Sequence, residues 1–364
     1  MVEKKFKMPK EKIREYYENY FKPVEFGKLV GLKDFDRREI ACLDYPGGKK
    51  DFDRNFRFNS LKDFMTWVAP RSPFKLYFGA VYQTRWKGSI QAVPWEHNSL
   101  HFDIDVNDSD LMRRGGICAC GNSEDKNKRK KICTDCFQIV KEAAIFLIET
   151  LHEDFGIDKK GSVIYFSGSR GLHVHYPSTT MLGVSENDDK LIRKNLINYL
   201  GAVKEMEVDD SKIVDGERIE SVKIEPRIAK NIPATTLYRR IGDLVYKWFF
   251  TRSPEKTIKK SKVPPLVVKI ITEMFDQGKN MDEIMIEIVT RDLMSKQRIE
   301  RMRQAVMTYR YPRYDGGATY DVRKVMKVPD SIDCSSGFIV SKVDDIEGVD
   351  LSDMIHVSNY VNLD

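Results

Sequence analysis

The sequence predicts an α/β fold, a mixed sheet with helices that carries a cysteine-bearing insert and is interrupted by a helical subdomain. Three observations predict it. Short apolar runs with period-2 alternation, broken by Gly and Pro, fill residues 37–106 and 163–176. Four cysteines fall into two close pairs between residues 118 and 136. From about residue 186 the pattern changes to charged helical segments and returns to β-like runs near 318, so a helical block lies between two β-rich ones, as an insertion into one domain would. The expected partition is an α/β domain at 1–185 and 306–364, the cysteine insert at 111–138 within it, and a helical subdomain at 186–305.

The elements follow in chain order. Residues 10–22 read as an amphipathic helix with Ile13, Tyr16, Tyr17 and Tyr20 on one face and Pro23 as its stop. Between 37 and 82 the runs REIACLDY, FRFNS and LYFGAVY read as strands, with one short helix at 61–68 ended by Pro70. Residues 100–106, LHFDIDV, alternate: Leu100, Phe102, Ile104 and Val106 face one side, His101, Asp103 and Asp105 the other. A strong helix is expected at 135–155, where Phe137, Val140, Ala144, Leu147 and Leu151 recur at helical spacing and Gly156 ends the run. Runs at 163–166 and 172–176 form a β pair around the tight turn SGSRG. Helices are expected at 187–206, 234–250, 265–275 and 281–310, and β structure again at 318–343.

Composition narrows the class. No run approaches the ~18 uninterrupted apolar residues of a spanning helix. The 19 Phe, 16 Tyr and 4 Trp exceed what a disordered chain contains. The opening MVEKKFKMPKEK has basic residues but no apolar core, so no signal peptide is expected and a cytoplasmic setting follows, where thiols stay reduced. The six cysteines are then metal ligands or small buried residues; Cys42 and Cys334 stand alone, the other four do not. The 61 Lys and Arg against 55 Asp and Glu leave a formal charge of +6, which says little until the signs are located.

Period 2 puts Asp103 and Asp105 on one face, about 6–7 Å apart at Cα. Two carboxylates held so close repel unless a cation sits between them. Mg²⁺ or Mn²⁺, which take oxygen ligands and keep positions open for phosphate oxygens, is the natural cation. The competing reading makes His101, Asp103 and Asp105 the solvated face of an amphipathic strand. Cys118-x-Cys120 and, twelve residues on, Cys133-x-x-Cys136 have the paired spacing of a closed four-thiolate zinc site, which is structural because no coordination position stays open. Between the pairs the basic run KNKRKK (126–131) is either a nucleic-acid backbone contact or, slightly favoured, a solvated loop tip. The turn Ser167-Gly168-Ser169-Arg170-Gly171-Leu172-His173 combines glycines, which let backbone N–H groups approach an anion, with Ser, Arg and His donors. An ordinary hairpin, or a His173/His175 metal pair, competes with that reading.

Taken in order, these segments resemble the catalytic small subunit of archaeal and eukaryotic DNA primase. The resemblance runs through Arg37-Arg38-Glu39-Ile40, Phe52-Asp53-Arg54-Asn55-Phe56-Arg57-Phe58, Gly79-Ala80-Val81-Tyr82, the Asp103/Asp105 strand, the cysteine insert and the SGSRGLHVHY turn. It resumes at Tyr311-Pro312-Arg313-Tyr314-Asp315, Thr319-x-Asp321 and Lys327-Val328-Pro329-x-Ser331. It implies a primase-type catalytic fold and a nucleotidyltransferase of the DNA-directed RNA polymerase type, making short RNA or DNA primers from NTPs or dNTPs on single-stranded DNA for replication. It implies Asp315 as third carboxylate beside Asp103 and Asp105, with Mg²⁺ or Mn²⁺ bound there and structural Zn²⁺ in the insert. It implies nucleotide-binding roles for Ser167, Arg170, His173, Lys327 and Arg54. It also implies a larger regulatory subunit as partner and an archaeal-type, nucleoid-associated setting.

Two positions depart from the family pattern. Asp333 stands where the family reads histidine, and a carboxylate there is expected to repel a triphosphate unless protonated or turned away. Tyr77 stands where an acidic residue is frequent. Two other readings follow: a stand-alone primase-polymerase relative acting in gap filling or end joining, and a zinc-stabilised nucleic-acid-binding subunit whose catalysis has decayed.

Overall fold

The computed structural model describes residues 8–45, 52–105, 133–177, 185–201, 213–214, 217–218, 243–244, 246–247, 249–251, 258–259, 262–307 and 316–363. The described residues divide into two compact units, one drawn from 1–108, 120–197 and 313–364 and the other from 198–312.

The first unit is built on two sheets. One contains β1 (Arg38–Leu43), β2 (Phe52–Phe56), β3 (Lys75–Tyr82) and β4 (Trp95–His97), with the late strand β10 (Met326–Lys327) added at its edge in the order β10-β3-β1-β2, β4 also pairing with β3. The other contains β5 (Leu100–Asp105), β6 (Val163–Phe166), β7 (Gly171–Tyr176) and β13 (Lys342–Val343), in the order β13-β6-β7-β5. A mixed sheet was expected. Every strand pair among the described residues is instead antiparallel. Alternation fixes which face a residue takes, whereas strand direction depends on connections that alternation does not encode.

Helix α1 (Lys10–Asn19) buries Ile13, Tyr16 and Tyr17, while Tyr20 falls just past its end, stays exposed and stacks on Tyr16. Its run ends as Pro23 dictates, and a second short helix, α2 (Val24–Val30), burying Phe26 and Leu29, follows without a distinct periodic signal. Helix α3 (Leu61–Arg71) starts on Ser60, whose hydroxyl accepts the Asp63 N–H at 3.1 Å, and runs past the stop expected at Pro70. Proline is tolerated there because only one intrahelical N–H is lost within the last turn. Helix α4 (Thr134–Phe155) buries the expected stripe, ends on Gly156 at φ +67, and packs on β5 and β7. It is the support beneath the Asp103/Asp105 strand.

The β structure expected over 318–343 is only partly present. Ala318 lies in a short helix, α9 (Gly316–Tyr320), and the strands that follow are two-residue pieces, including the hairpin of β11 (Ile332–Asp333) and β12 (Phe338–Ile339). Ala318 and Val322 are both fully buried and stand four apart, a helical spacing rather than an alternating one.

In the second unit, α6 (Pro265–Asp276) buries Val267, Ile271, Met274 and Phe275. Helix α7 (Met281–Thr290) opens with a reciprocal Asn280/Glu283 capping box. The single helix expected at 281–310 is broken after Thr290, with Asp292 at φ +51, and restarts as α8 (Lys296–Met307). A small hairpin, β8 (Ile213–Val214) with β9 (Glu217–Arg218), also belongs here, and most of the helix expected at 234–250 lies outside the described residues. No described helix is long and apolar enough to cross a membrane.

Candidate active site

Strand β5 pairs antiparallel with β7 so that Asp103 lies opposite His173 and Asp105 opposite Gly171. That register lays the carboxylate strand along the turn that precedes β7. Gly171 is required by it, because a Cβ there would sit 2.2 Å from the carbonyl oxygen of Ile104. His173 Nε2 stands 3.6 Å from Asp103 Oδ1, and Arg170 Nη2 3.5 Å from Asp105 Oδ2. Both carboxylates are half-buried. The solvated-strand reading does not survive for His101, which is buried beside them.

The histidines form a layer beneath the site. His101, His173 and His175 are all buried, with ring centroids 5.8 Å apart for His101 and His175 and 6.1 Å for His173 and His175. Burial, with Arg193 nearby, pushes His101 down to about 3, and burial pushes His173 and His175 well below the usual imidazole range. All three are neutral at physiological pH. Among the described residues no group of three His, Cys, Asp or Glu is placed to hold an ion.

The turn is closed on itself. The Ser167 N–H donates to the Gly171 carbonyl at 2.9 Å and the Ser167 hydroxyl accepts the Gly171 N–H at 3.2 Å. Gly168, at φ +71, leaves room for Asp333, whose Cβ would otherwise lie 3.1 Å from its own. The hydroxyl of Ser336 donates to the Gly168 carbonyl and fastens the turn to the β11–β12 hairpin.

Lys327 extends this cluster. Its Nζ donates to the Ser167 carbonyl and to Asp333 Oδ2, each at 2.7 Å, and Lys75 Nζ lies 2.9 Å from the same carboxylate oxygen. Asp333 is fully buried. Burial alone would raise its pKa, but Lys327, Lys75 and the hydrogen bonds from Lys327 and Ser335 hold it well below the usual carboxylate range. The repulsion expected of this residue is therefore corrected: the carboxylate is ionised, turned inward and covered by two ammonium groups.

Arg54 is engaged elsewhere. Its Nε and Nη2 donate bidentately to the buried Glu39 at 2.7 and 2.8 Å, and Nη2 also reaches the Arg323 carbonyl at 2.8 Å. Gly79 makes space for that pair, since a Cβ there would meet Glu39 Oε2 at 2.9 Å. The contacts thus join Asp103, Asp105, Ser167, Arg170, His173 and Lys327 into one cluster, and give Arg54 a partner within the β1–β3 sheet.

Asp315 lies outside the described residues. Helix α9, which begins at the next residue, packs on β5. Cys118, Cys120 and the KNKRKK run also lie outside the described residues. Cys133 caps α4, its sulfur accepting the Cys136 N–H at 3.4 Å, which sets both sulfurs at the first helical turn. Cys42 and Cys334 are buried singly in the core, as expected.

The model of the family described as DNA primase small subunit matches residues 102–345, about two thirds of the chain. The chain belongs to the DNA primase small subunit family. The matched span opens on the Asp103/Asp105 strand and closes just beyond β13, so the family's region holds both carboxylates, the turn, Lys327 and Asp333. The chain is 29% identical over 191 residues to "DNA primase small subunit PriS" of Pyrobaculum calidifontis, covering 52% of each. It is 28% identical over 204 residues to the protein of the same name from Saccharolobus islandicus, covering 52% of this chain and 58% of that one. Aligned with the Thermococcus onnurineus protein of that name it is 23% identical over 319 residues, 86% of this chain and 80% of the other. The chain spans about half the length of the first of these primase subunits. Among solved structures, the polymerase domain of Mycobacterium tuberculosis ligase D in complex with DNA is similar at a TM-score of 0.29 and 15% identity, over 52% of this chain and 62% of that one.

Three residues support the site in ways that their local sequence does not show. Lys75 looks like an ordinary strand-end lysine. Glu39 looks like the polar step of an alternating run. Arg193, four residues after Asp189 on helix α5 (Glu186–Gly201), looks like half of a solvent-facing helix pair, yet the two side chains are 2% and 1% exposed. No local signal distinguishes a buried pair from an exposed one.

Proposed function

We propose that this chain is the catalytic subunit of a DNA primase and joins nucleotides into a short primer on a single-stranded DNA template. The observation that carries the proposal is the face-to-face register of β5 and β7, which sets Asp103 against His173 and Asp105 against Arg170 within the span matched by the family.

The donors suit a hard divalent cation: two half-buried carboxylates on one strand face, with oxygen as the only donor atom they offer. Asp103 and Asp105, together with Asp315, would hold Mg²⁺ or Mn²⁺, which when bound supplies positive charge at the reacting phosphate and acidifies the attacking 3′-hydroxyl. Arg170 and Lys327 neutralise the triphosphate from the turn side. Ser167 keeps the turn closed through the bond its oxygen accepts from Gly171, leaving its own O–H to donate to a phosphate oxygen. His173, kept neutral by burial, offers a single ring N–H without adding charge. Arg54 acts through Glu39, stiffening the sheet whose strands β3 and β10 carry Lys75 and Lys327.

We read 111–138 as a zinc-binding insert and 186–305 as a helical subdomain. Cys133 and Cys136 fit half of a four-thiolate site, since a sulfur accepting a helix N–H is stabilised as thiolate; Cys118 and Cys120 would supply the rest. A larger regulatory subunit is the proposed partner.

The test is primer synthesis on unprimed single-stranded DNA with NTPs or dNTPs and Mg²⁺ or Mn²⁺, with and without the large subunit. Wild type should make metal-dependent product, and Asp105→Ala should lose at least about a thousandfold of it. Extension of supplied primers without initiation under any condition points to the stand-alone polymerase reading. Equal inactivity of wild type and variant points to a decayed, nucleic-acid-binding subunit.

A further inference from the structure

Asp333 has more positive charge around it than it needs. One ammonium neutralises one carboxylate, yet Lys327 and Lys75 both bond to its Oδ2, at 2.7 and 2.9 Å. Its other oxygen, Oδ1, is taken by the Ser335 N–H at 3.0 Å and by the Ser335 hydroxyl. The cluster therefore carries a surplus of one positive charge. The two ammoniums share one oxygen and so lie within about 6 Å of each other, where like charges repel and a bridging anion is favoured. Consistent with this, burial and then Lys327 lower the Lys75 pKa.

Accessibility separates the three groups. The side chains of Lys75 and Lys327 are 19% and 16% exposed, whereas Asp333 is 0% exposed. An anion arriving from solvent can reach the two lysine side chains but not the carboxylate. Lys327 Nζ also holds the Ser167 carbonyl, which puts the pair at the root of the turn that carries Arg170. Strand β3 and strand β10 pair with Tyr77 opposite Lys327, so Lys75 stands two residues along the neighbouring strand from that register.

We infer that Lys75 is a further phosphate-contacting residue, forming with Lys327 a two-lysine clamp for the terminal phosphates of a nucleoside triphosphate, with buried Asp333 as the anchor that holds both ammoniums in place. For its substrate the inference rests on the nucleotidyl-transfer reading; for its chemistry it requires only a polyphosphate.

The experiment measures binding of inorganic tripolyphosphate to the full chain by titration calorimetry in EDTA, for wild type, Lys75→Met and the double variant Lys75→Met/Asp333→Asn. The double variant removes the buried charge together with its partner, so it reports even where Lys75→Met alone fails to fold. Both variants should bind tripolyphosphate at least about tenfold more weakly. In primer synthesis KM for the nucleotide should rise by a similar factor with kcat within about threefold, and Lys75→Arg should recover most of it. Tripolyphosphate binding by a folded variant within about twofold of wild type overturns the clamp and leaves a structural ion triad. Weakened tripolyphosphate binding in a chain that makes no primer under any condition supports the clamp while rejecting the primase reading.

Discussion

Arg193 Nη2 donates a 2.8 Å hydrogen bond to the carbonyl of Asn98, and this single contact begins a tie across the candidate site. The same guanidinium reaches the Ser99 carbonyl at 3.1 Å and that of Thr319 at 3.5 Å, while Asn98 Nδ2 donates to the Val322 carbonyl at 3.1 Å. Residues 98–99 lead directly into β5, and 319–322 lie just past Asp315. One buried arginine thus fastens the strand of Asp103 and Asp105 to residues 319–322.

Removing this tie should be costly. Arg193→Met leaves Asp189 buried without its 2.9 Å partner and strands three carbonyls, a loss of about 3–5 kcal/mol. The denaturant midpoint should fall accordingly, and the double variant Arg193→Met/Asp189→Leu should regain a large part. A single variant as stable as wild type would show that the tie does not hold the segment.

Gly171→Ala tests the approach of β5 to β7. The added methyl would stand 2.2 Å from the Ile104 carbonyl, backbone that no side-chain movement relieves. A loss of about 1–3 kcal/mol is expected, with primer synthesis falling further than stability because Asp105 is paired opposite this residue. Gly27→Ala, like Gly171→Ala outside the positive-φ region but meeting only the Leu61 side chain at 3.5 Å, is the control and should leave primer synthesis unchanged. Equal activity losses in both would mean that contact with Ile104 is not what matters.

The buried histidines predict a direction for acid sensitivity. His101 is held at about 3 and His175 well below its usual value, both by burial first, so at mildly acid pH the unfolded chain binds protons that the folded chain does not. Stability from these groups is present above about pH 6.5 and is lost as pH falls below it, by up to about 1.4 kcal/mol per pH unit for each histidine. Urea midpoints at pH 7 and pH 5 should differ in that sense. His175→Phe should reduce the slope by one proton; an unchanged slope in this variant removes His175 from the explanation.

The zinc reading predicts a stoichiometry. Purified chain should carry about one equivalent of zinc by elemental analysis, and Cys136→Ser should lose most of it. Because Cys133 also caps α4, Cys133→Ser should keep the cap through its hydroxyl and lose the metal, separating the two roles. Metal retained in both variants would place the zinc on other ligands.

By itself the sequence determined whatever depends on spacing along the chain. Period 2 put Asp103 and Asp105 on one face; helical spacing set the buried stripe of α4; Gly168 and Gly171 marked the turn; and the order of the motifs indicated the family. Only the tertiary structure decided what depends on partners distant in sequence. It paired every described strand antiparallel, buried His101 on the face that alternation left to solvent, and turned Asp333 beneath Lys75, a residue 258 positions away. It also sank the Arg193–Asp189 pair, which local spacing presents as a surface pair. The reason is physical: periodicity is set by backbone geometry within an element, but burial, register and the charge a group carries are set by whatever the fold brings against it.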